Sequence, residues 1–412
     1  MQKQVVKEKT FMQKVRSAGP AAVITSAFVG PGTITTATAA GVNFGYALLW
    51  AVIFSGFASI VIMNMASRLA ILGKKNIIDA AVELVPGSKA WKFFALGLIA
   101  AVAAFTGFGF EAGNLIGATV GFEAITGAPQ WLAALLMGLV ALVAVVFTTP
   151  KIVELIMKTF VAVMGIVFVI TAIIVTPPIG EVLTGLIPTI PDGSMVTTIA
   201  LIGTTIIAIN IVFHSVASAE KWTEDKDLED SYFDTKMNVS LGVVMTLGLI
   251  IATSATLFGT GTVVDSPIVF AEALEVTLGT AAGMFAAFGL VLAGLSSAIA
   301  TPYMVGVIWA RVFKWDLVKD WRPKTAAAVV VLFGTTLAMF GTAPVPIILF
   351  AQATSGIFLP FVAVLFVLAT NSKKLGEFRN TRLQNAVGSI MVVVMFVLGF
   401  RTLWTVFTRL FF

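Results

Sequence analysis

The chain has 412 residues, 58% of them hydrophobic and only 11% charged, and its mean hydropathy of +1.01 lies far outside the range of soluble globular proteins. With no cysteine and a single histidine, it excludes disulfide frameworks, thiolate metal sites and cysteine nucleophiles; no Ser-His-Asp or HExxH arrangement is present, so an enzyme is not expected. The net charge of +5 is dispersed over many connecting segments instead of gathered on one face, which points to membrane anchoring and away from nucleic acid.

Apolar runs long enough to cross a hydrocarbon core of about 30 Å recur along the whole sequence and leave no soluble domain over. A basic segment, 1–17, opens the chain. The apolar run after it ends in "TATAAG", a signal-peptide-like layout, but it continues past Gly30-Pro31-Gly32, so the segment is read as a cytoplasmic anchor. Eleven spans follow in order: 18–40, 45–71, 90–119, 129–148, 152–176, 195–217, 237–259, 279–310, 325–341, 345–369 and 386–409. Basic residues sit on alternate connections: Arg68, Lys74, Lys75, Lys89 and Lys92, then Lys151 and Lys158, then Lys221, Lys226 and Lys236, then Arg311 to Lys324, then Lys373 to Arg382. The intervening connections carry Glu123, Glu181, Asp192, Asp265, Glu272 and Glu275 and no basic residue. This alternation predicts a multi-pass protein of the plasma membrane with a cytoplasmic N-terminus and an outer C-terminus. The mixed run "EKWTEDKDLEDSYFDTK" is read as a solvated inner loop.

Two spans carry internal interruptions. In the first, Gly30, Pro31 and Gly32 remove a backbone donor and lower the cost of unwinding at mid-membrane depth. Freed polar groups there need partners. Either a proline kink is patched by Thr33, Thr35 and Thr36, or the helix is discontinuous and forms a binding element. The sixth span, "IGTTIIAINIVFHSV", is interrupted by Gly203, Thr204, Thr205 and Asn210 without a proline.

Several segments resemble the Nramp (natural resistance-associated macrophage protein) transporters, in that family's order over nearly the whole chain: "AGVNFGYALLW", "GEVLTGLIPTIP", "FHSVASAEKW", "LAGLSSAIATPYMVGVIWARVF", "LFAQATSGIFLPF" and "NSKKLGEFRN". The resemblance implies an all-α integral membrane protein of the leucine-transporter (LeuT) fold. It would form one membrane transport domain over 1–412, with five-helix inverted repeats at 18–176 and 195–369 and an eleventh helix at 386–409. It also implies a substrate site where helices one and six unwind, at Gly30, Pro31, Gly32, Thr33, Thr204, Ile207, Ala208, Ile209 and Asn210. Metal-transporting members carry Asp-Pro-Gly-Asn in helix one and Met-Pro-His in helix six. Here Gly30 and Thr33 replace the aspartate and asparagine, and Ile207, Ala208 and Ile209 replace the second motif.

Transition metals select nitrogen, sulfur and carboxylate donors, so the expected cargo is a small organic solute, carboxylate or amino-acid-like, with the carboxylate at the amide-rich start of the second half of helix one. The alternative is a divalent cation (Mn, Fe or Mg) held by altered ligands; a fold-retaining membrane sensor is a third reading. No cofactor is expected; the partners are the small-molecule substrate and the lipid bilayer, and the oligomeric state is left open, a monomer included. The resemblance places proton coupling at Glu111, where the family's second acid is replaced by Asn114, and at His214, which matches a family histidine; Gln352 matches a gating glutamine. A histidine can exchange protons near neutral pH, or it can simply bond to Ser215 or a helix carbonyl. Ser296 and Ser297 are expected to serve packing.

Overall fold

The computed structural model describes residues 10–17, 19–84, 87–340 and 344–411, and among these every regular element is helical. In chain order they are α1 (Phe11–Ser17), α2 (Pro20–Phe28), α3 (Pro31–Phe44), α4 (Leu49–Ile71), α5 (Ile77–Glu83), α6 (Lys89–Thr126), α7 (Gln130–Phe147), α8 (Pro150–Ile174), α9 (Ile179–Thr184) and α10 (Met195–Thr205). There follow α11 (Ala208–Lys221), α12 (Leu228–Leu257), α13 (Val269–Leu278), α14 (Thr280–Val312), α15 (Arg322–Met339), α16 (Pro344–Thr370) and α17 (Arg382–Phe411). All eleven expected spans coincide with helices. Spans one and six are each split in two, as α2/α3 and α10/α11.

Boundaries moved where punctuation was weak. The third span grows to the 38 residues of α6, about 57 Å long at 1.5 Å per residue, because nothing in the sequence stops it before Gly127. Gly127 takes φ +69° and returns its N–H to the Glu123 carbonyl, a left-handed C-terminal cap. The seventh span starts at Leu228 instead of 237, so the acidic end of the run read as a loop is helical, and Asp234 within it is fully buried.

The central pair is α6 against α14, and small residues let their backbones meet. A Cβ on Gly294 would lie 2.4 Å from the Ala118 nitrogen, and one on Gly121 would lie 2.9 Å from the Ala287 carbonyl oxygen. Without a hydrophobic driving force between helices in lipid, this close approach is what holds them. Both helices of this pair carry α7 and α15 against them, α14 also packs on α2 and α8, and α12 packs in turn on α2 and α8. Leu135, Leu139 and Val143 of α7, Ile166 and Ile173 of α8, and Leu332 of α15 are exposed and form the lipid-facing surface.

The connections sort into two ends of the molecule, as the charge alternation requires. At the basic end, Lys74 pairs with Asp225 at 2.7 Å, Lys75 with Glu83 and Lys221 with Glu154 at 2.5 Å, and Arg311 with Asp79. Arg68 donates to Asn380, and Lys374 donates to the Glu83 carbonyl. In the connection before α15, Asp316 accepts the amides of Val318 and Lys319 at 2.9 Å, which lowers its pKa. At the other end, Trp50 donates through its ring to the Thr189 carbonyl at 2.8 Å, and Gln130 donates to the Ala338 carbonyl at 3.1 Å.

The Gly294 contact can be tested. Gly294→Ala places its methyl against the backbone of α6 and is expected to destabilise by about 1–3 kcal/mol, the usual cost of overpacking. Gly203→Ala, whose Cβ meets nothing within 4 Å, is expected to leave the melting midpoint in detergent unchanged.

Candidate functional site

Helix one breaks at Val29 and Gly30, between the C-terminus of α2 and the N-terminus of α3. Gly30 is extended (φ −97°, ψ −174°), and Pro31 occupies the first helical position, where its missing N–H costs nothing. The carbonyls freed at the end of α2 are answered by hydroxyls. Thr33 donates to the Phe28 carbonyl, Ser297 to those of Ser26 (2.9 Å) and Ala27 (3.1 Å), and Ser296 to that of Ser26 (3.1 Å). Ser296 and Ser297 therefore do more than the packing expected of them; they complete the broken helix from α14. Thr33 is likewise committed to the break.

Gly30 leaves no room for a side chain. A Cβ there would lie 2.5 Å from the Ser297 hydroxyl and 3.4 Å from the side-chain Oδ1 of Asn114. Asn114 in turn donates to Thr301 at 3.3 Å, so the backbone between α2 and α3, α6 and α14 meet at this point through neutral polar groups. Pro31 fits into the notch left by Gly117, where a Cβ would approach to 2.2 Å.

Helix six breaks at Ile206 (φ −97°, ψ 90°) and Ile207 (φ −107°, ψ 131°). The signal was in the sequence. Thr204, Thr205, Ile206 and Ile207 are four consecutive β-branched residues, stiff in a helix and comfortable when extended, so the chain unwinds without a proline or glycine at the break. Thr204 returns its hydroxyl to the Leu201 carbonyl at 3.0 Å. Ile207, Ala208 and Ile209 are buried and line the break with apolar surface. Asn210 is 3% exposed, and neither its Nδ2 nor its Oδ1 has a hydrogen-bond partner among the described residues. An amide left this way is costly unless something else answers it.

Burial differs between the halves. All of α2 is buried and α11 is buried from Ala208 to Val216, whereas Gly32 of α3 and Gly203 of α10 are half-buried. The sealed half is clamped at its start. Asp234 accepts the Gly19 and Ala21 amides at 2.9 and 3.0 Å, and the Glu154–Lys221 pair packs against Gly19, where a Cβ would meet both side chains. A carboxylate over free amides at a helix start is favourable. Sequence reasoning missed Asp234 because its helix was thought to begin after it.

Glu111 is fully buried in α6 and packs on Gly334 of α15; its oxygens have no hydrogen bond of normal geometry among the described residues, though the Asn114 amide lies beside it. His214 lies elsewhere, between α11, α4 and α12, with its Nε2 2.9 Å from the Ser67 hydroxyl, 3.4 Å from that of Thr235 and 3.5 Å from that of Ser218. Its expected partner Ser215 instead accepts the Ile77 amide at 2.9 Å. No hydrogen bond joins Glu111 to His214. Gln352 falls in α16, in the stretch whose side chains lie outside the described residues. Among the described residues no three of His, Asp and Glu gather as a metal-ligand set.

A family model described as "Natural resistance-associated macrophage protein-like" matches residues 21–405. A relative, the divalent metal cation transporter MntH of Yersinia pestis, is 25% identical over 395 residues, covering 92% of this chain and 93% of the relative. A manganese transporter of Eremococcus coleocola superimposes with a TM-score of 0.80 at 21% identity, over 96% of this chain and 87% of that one. MhsT in complex with L-phenylalanine superimposes with a TM-score of 0.63 at 16% identity, over 92% and 98% respectively.

The crowding at Gly30 generates a prediction. Gly30→Asp is expected to lower the melting midpoint in detergent, by the equivalent of about 1–3 kcal/mol. Adding Ser297→Ala should recover part of that loss; an unchanged midpoint for the single substitution would show that the pocket holds a carboxylate without rearrangement.

Proposed function

The chain belongs to the Nramp family, and from that premise we propose that it is a secondary active transporter that carries a small organic solute, a carboxylate or amino-acid-like acid, between its two broken helices. It is a multi-pass membrane transporter of the leucine-transporter fold. In this reading the two halves of the fold act as inverted repeats, and their rocking exposes the site to each side in turn.

The observation that carries the cargo assignment is the neutral lining of both breaks. Gly30 is walled in by Ser297 and Asn114, Ile207 and Ile209 are apolar, and among the described residues at the breaks it is the amide of Asn210 that stands without a partner. A divalent ion stripped of water needs charged or strongly donating ligands, and the cost of its burial rises with the square of its charge. An organic acid makes smaller demands. Its carboxylate suits the amides opening α3, where Gly32 is half-buried, and its remaining polar edge suits Asn210, which offers a donor and an acceptor together.

A second reading, transport of a divalent metal cation, is favoured by the names of the relatives, which are divalent metal cation and manganese transporters. Taken alone, those comparisons support it better than they support an organic cargo. Under this reading a largely hydrated ion is held by carbonyls and the Asn210 amide. For a proton gradient this reading takes Glu111 as the carrier, with His214 set apart in its own hydroxyl cluster.

Calorimetry on the purified protein with Mn2+, Mg2+ and a panel of small carboxylates separates the two. The organic reading expects a carboxylate to bind and Asn210→Ala to weaken it about tenfold, or about 1.4 kcal/mol for one lost hydrogen bond to a charged or polar edge. Accumulation of Mn2+ or Mg2+ in proteoliposomes with every acid ignored refutes it.

A further inference from the structure

At the basic end of the molecule, α7 turns into α8 beside the last turns of α14 and the first turn of α15. Thr148 (φ −101°, ψ 171°) and Thr149 (φ −101°, ψ 160°) are both extended, which opens the turn between the two helices. Opposite them α14 and α15 meet closely; a Cβ on Gly306 would lie 2.7 Å from the Pro323 carbonyl oxygen. Between the two pairs runs an open groove of about 380 Å3. Val145, Val153, Val307 and Ala327, all buried, give it apolar walls, while Thr149 and Lys324 supply a more exposed polar rim.

The rim is positive and uncompensated. Among the described residues neither Lys324 nor Lys151, two positions past Thr149 in α8, is ion-paired. The acids of the flanking segments are committed elsewhere: Glu154 of α8 to Lys221, Asp316 to the amides of Val318 and Lys319, and Asp320 to Arg322. Thr149 makes no side-chain hydrogen bond to the start of α8, so its hydroxyl is available. The surroundings set the depth. Phe147 (79% exposed) and Trp321 (68% exposed) stand beside the groove in the sequence, and such aromatic rings mark the level of lipid headgroups. Ile152 and Val329, also exposed, continue an apolar surface along α8 and α15.

We propose that this groove holds one anionic phospholipid, its phosphodiester between Lys324 and Lys151 and the first part of an acyl chain against the valines. Charge complementarity selects the headgroup. A zwitterionic lipid brings its own cation to a rim that already has two, whereas an anionic one brings only the missing charge. The apolar walls select an amphiphile over free phosphate, which would leave them facing water. Loose lysines on a loop gather anionic lipid diffusely; lysines beside a slot between helices hold a single molecule. A lipid seated there bridges the α7–α8 turn to α14 and α15, and it touches Val153, the neighbour of the Glu154 that ties α8 to α11. The inference goes beyond the cargo assignment and is independent of it.

The test uses delipidated full-length protein in detergent, titrated with phosphatidylglycerol or with phosphatidylcholine of the same acyl chains. Native mass spectrometry is expected to show one phosphatidylglycerol retained in preference to phosphatidylcholine, and the melting midpoint to rise more with the anionic lipid, since a ligand bound only by the folded state stabilises it. Lys151→Gln and Lys324→Gln should each weaken that retention about fivefold. Thr149→Phe, which fills the groove without changing charge, should also weaken it. The paired substitution Lys89→Gln with Lys373→Gln removes the same charge from other basic connections and should leave retention intact. Equal retention of the two lipids by the unmodified protein overturns the proposal. So does an equal loss in the Lys89 and Lys373 pair, which would mean diffuse surface charge only, or an equal rise in midpoint with inorganic phosphate, which would mean an anion site without a lipid. Should a groove variant fail to fold, the comparison of the two lipids on the unmodified protein decides.

Discussion

A backbone that leaves the helical path inside a membrane must find partners for its freed groups within the protein, since lipid offers none. The centre of this molecule is arranged around that constraint. Breaking α2 from α3 frees carbonyls at Phe28, Ala27 and Ser26, and the hydroxyls of Thr33, Ser297 and Ser296 meet them. Two of the three come from α14, so α14 must lie against the break. It does so because Gly121 and Gly294 let α6 and α14 approach to backbone contact. The close-packed helix pair and the broken helix are one structural solution: the first positions the donors that the second requires.

Most of the architecture was legible in the sequence, and for physical reasons. Long apolar runs and alternating basic loops are imposed by the bilayer itself, and loops assigned to the same side do touch, as Lys74 with Asp225 and Trp50 with Thr189. Gly30-Pro31-Gly32 announced its break because proline cannot donate. The break in helix six was harder to place, because its cause is a run of β-branched residues whose effect is statistical and whose fate depends on neighbours. What the sequence could not give was partnership across distance. Nothing local tells that Ser297 serves Ser26, 271 residues away, or that Asp234 faces Gly19. Nor does motif matching reveal that His214 and Glu111 face different groups of helices.

The same comparison explains why family membership does not by itself assign the cargo. The fold survives wholesale replacement of the charged and sulfur-bearing positions, because what it needs at the breaks is small volume and hydroxyl donors. Gly30 illustrates this. An acidic residue there would have to displace Ser297, and Ser297 is part of what holds helix one together.

One consequence follows from how α2 is held. Its first amides rest on Asp234 of α12 and its last carbonyls on the serines of α14, two attachments on different helices at opposite ends of a nine-residue rod. Letting go at one end alone leaves the rod pinned, free to pivot like a door on its remaining hinge but not to swing clear. A wide passage on that side therefore requires both attachments to part together, the amides from the acid and the carbonyls from the hydroxyls.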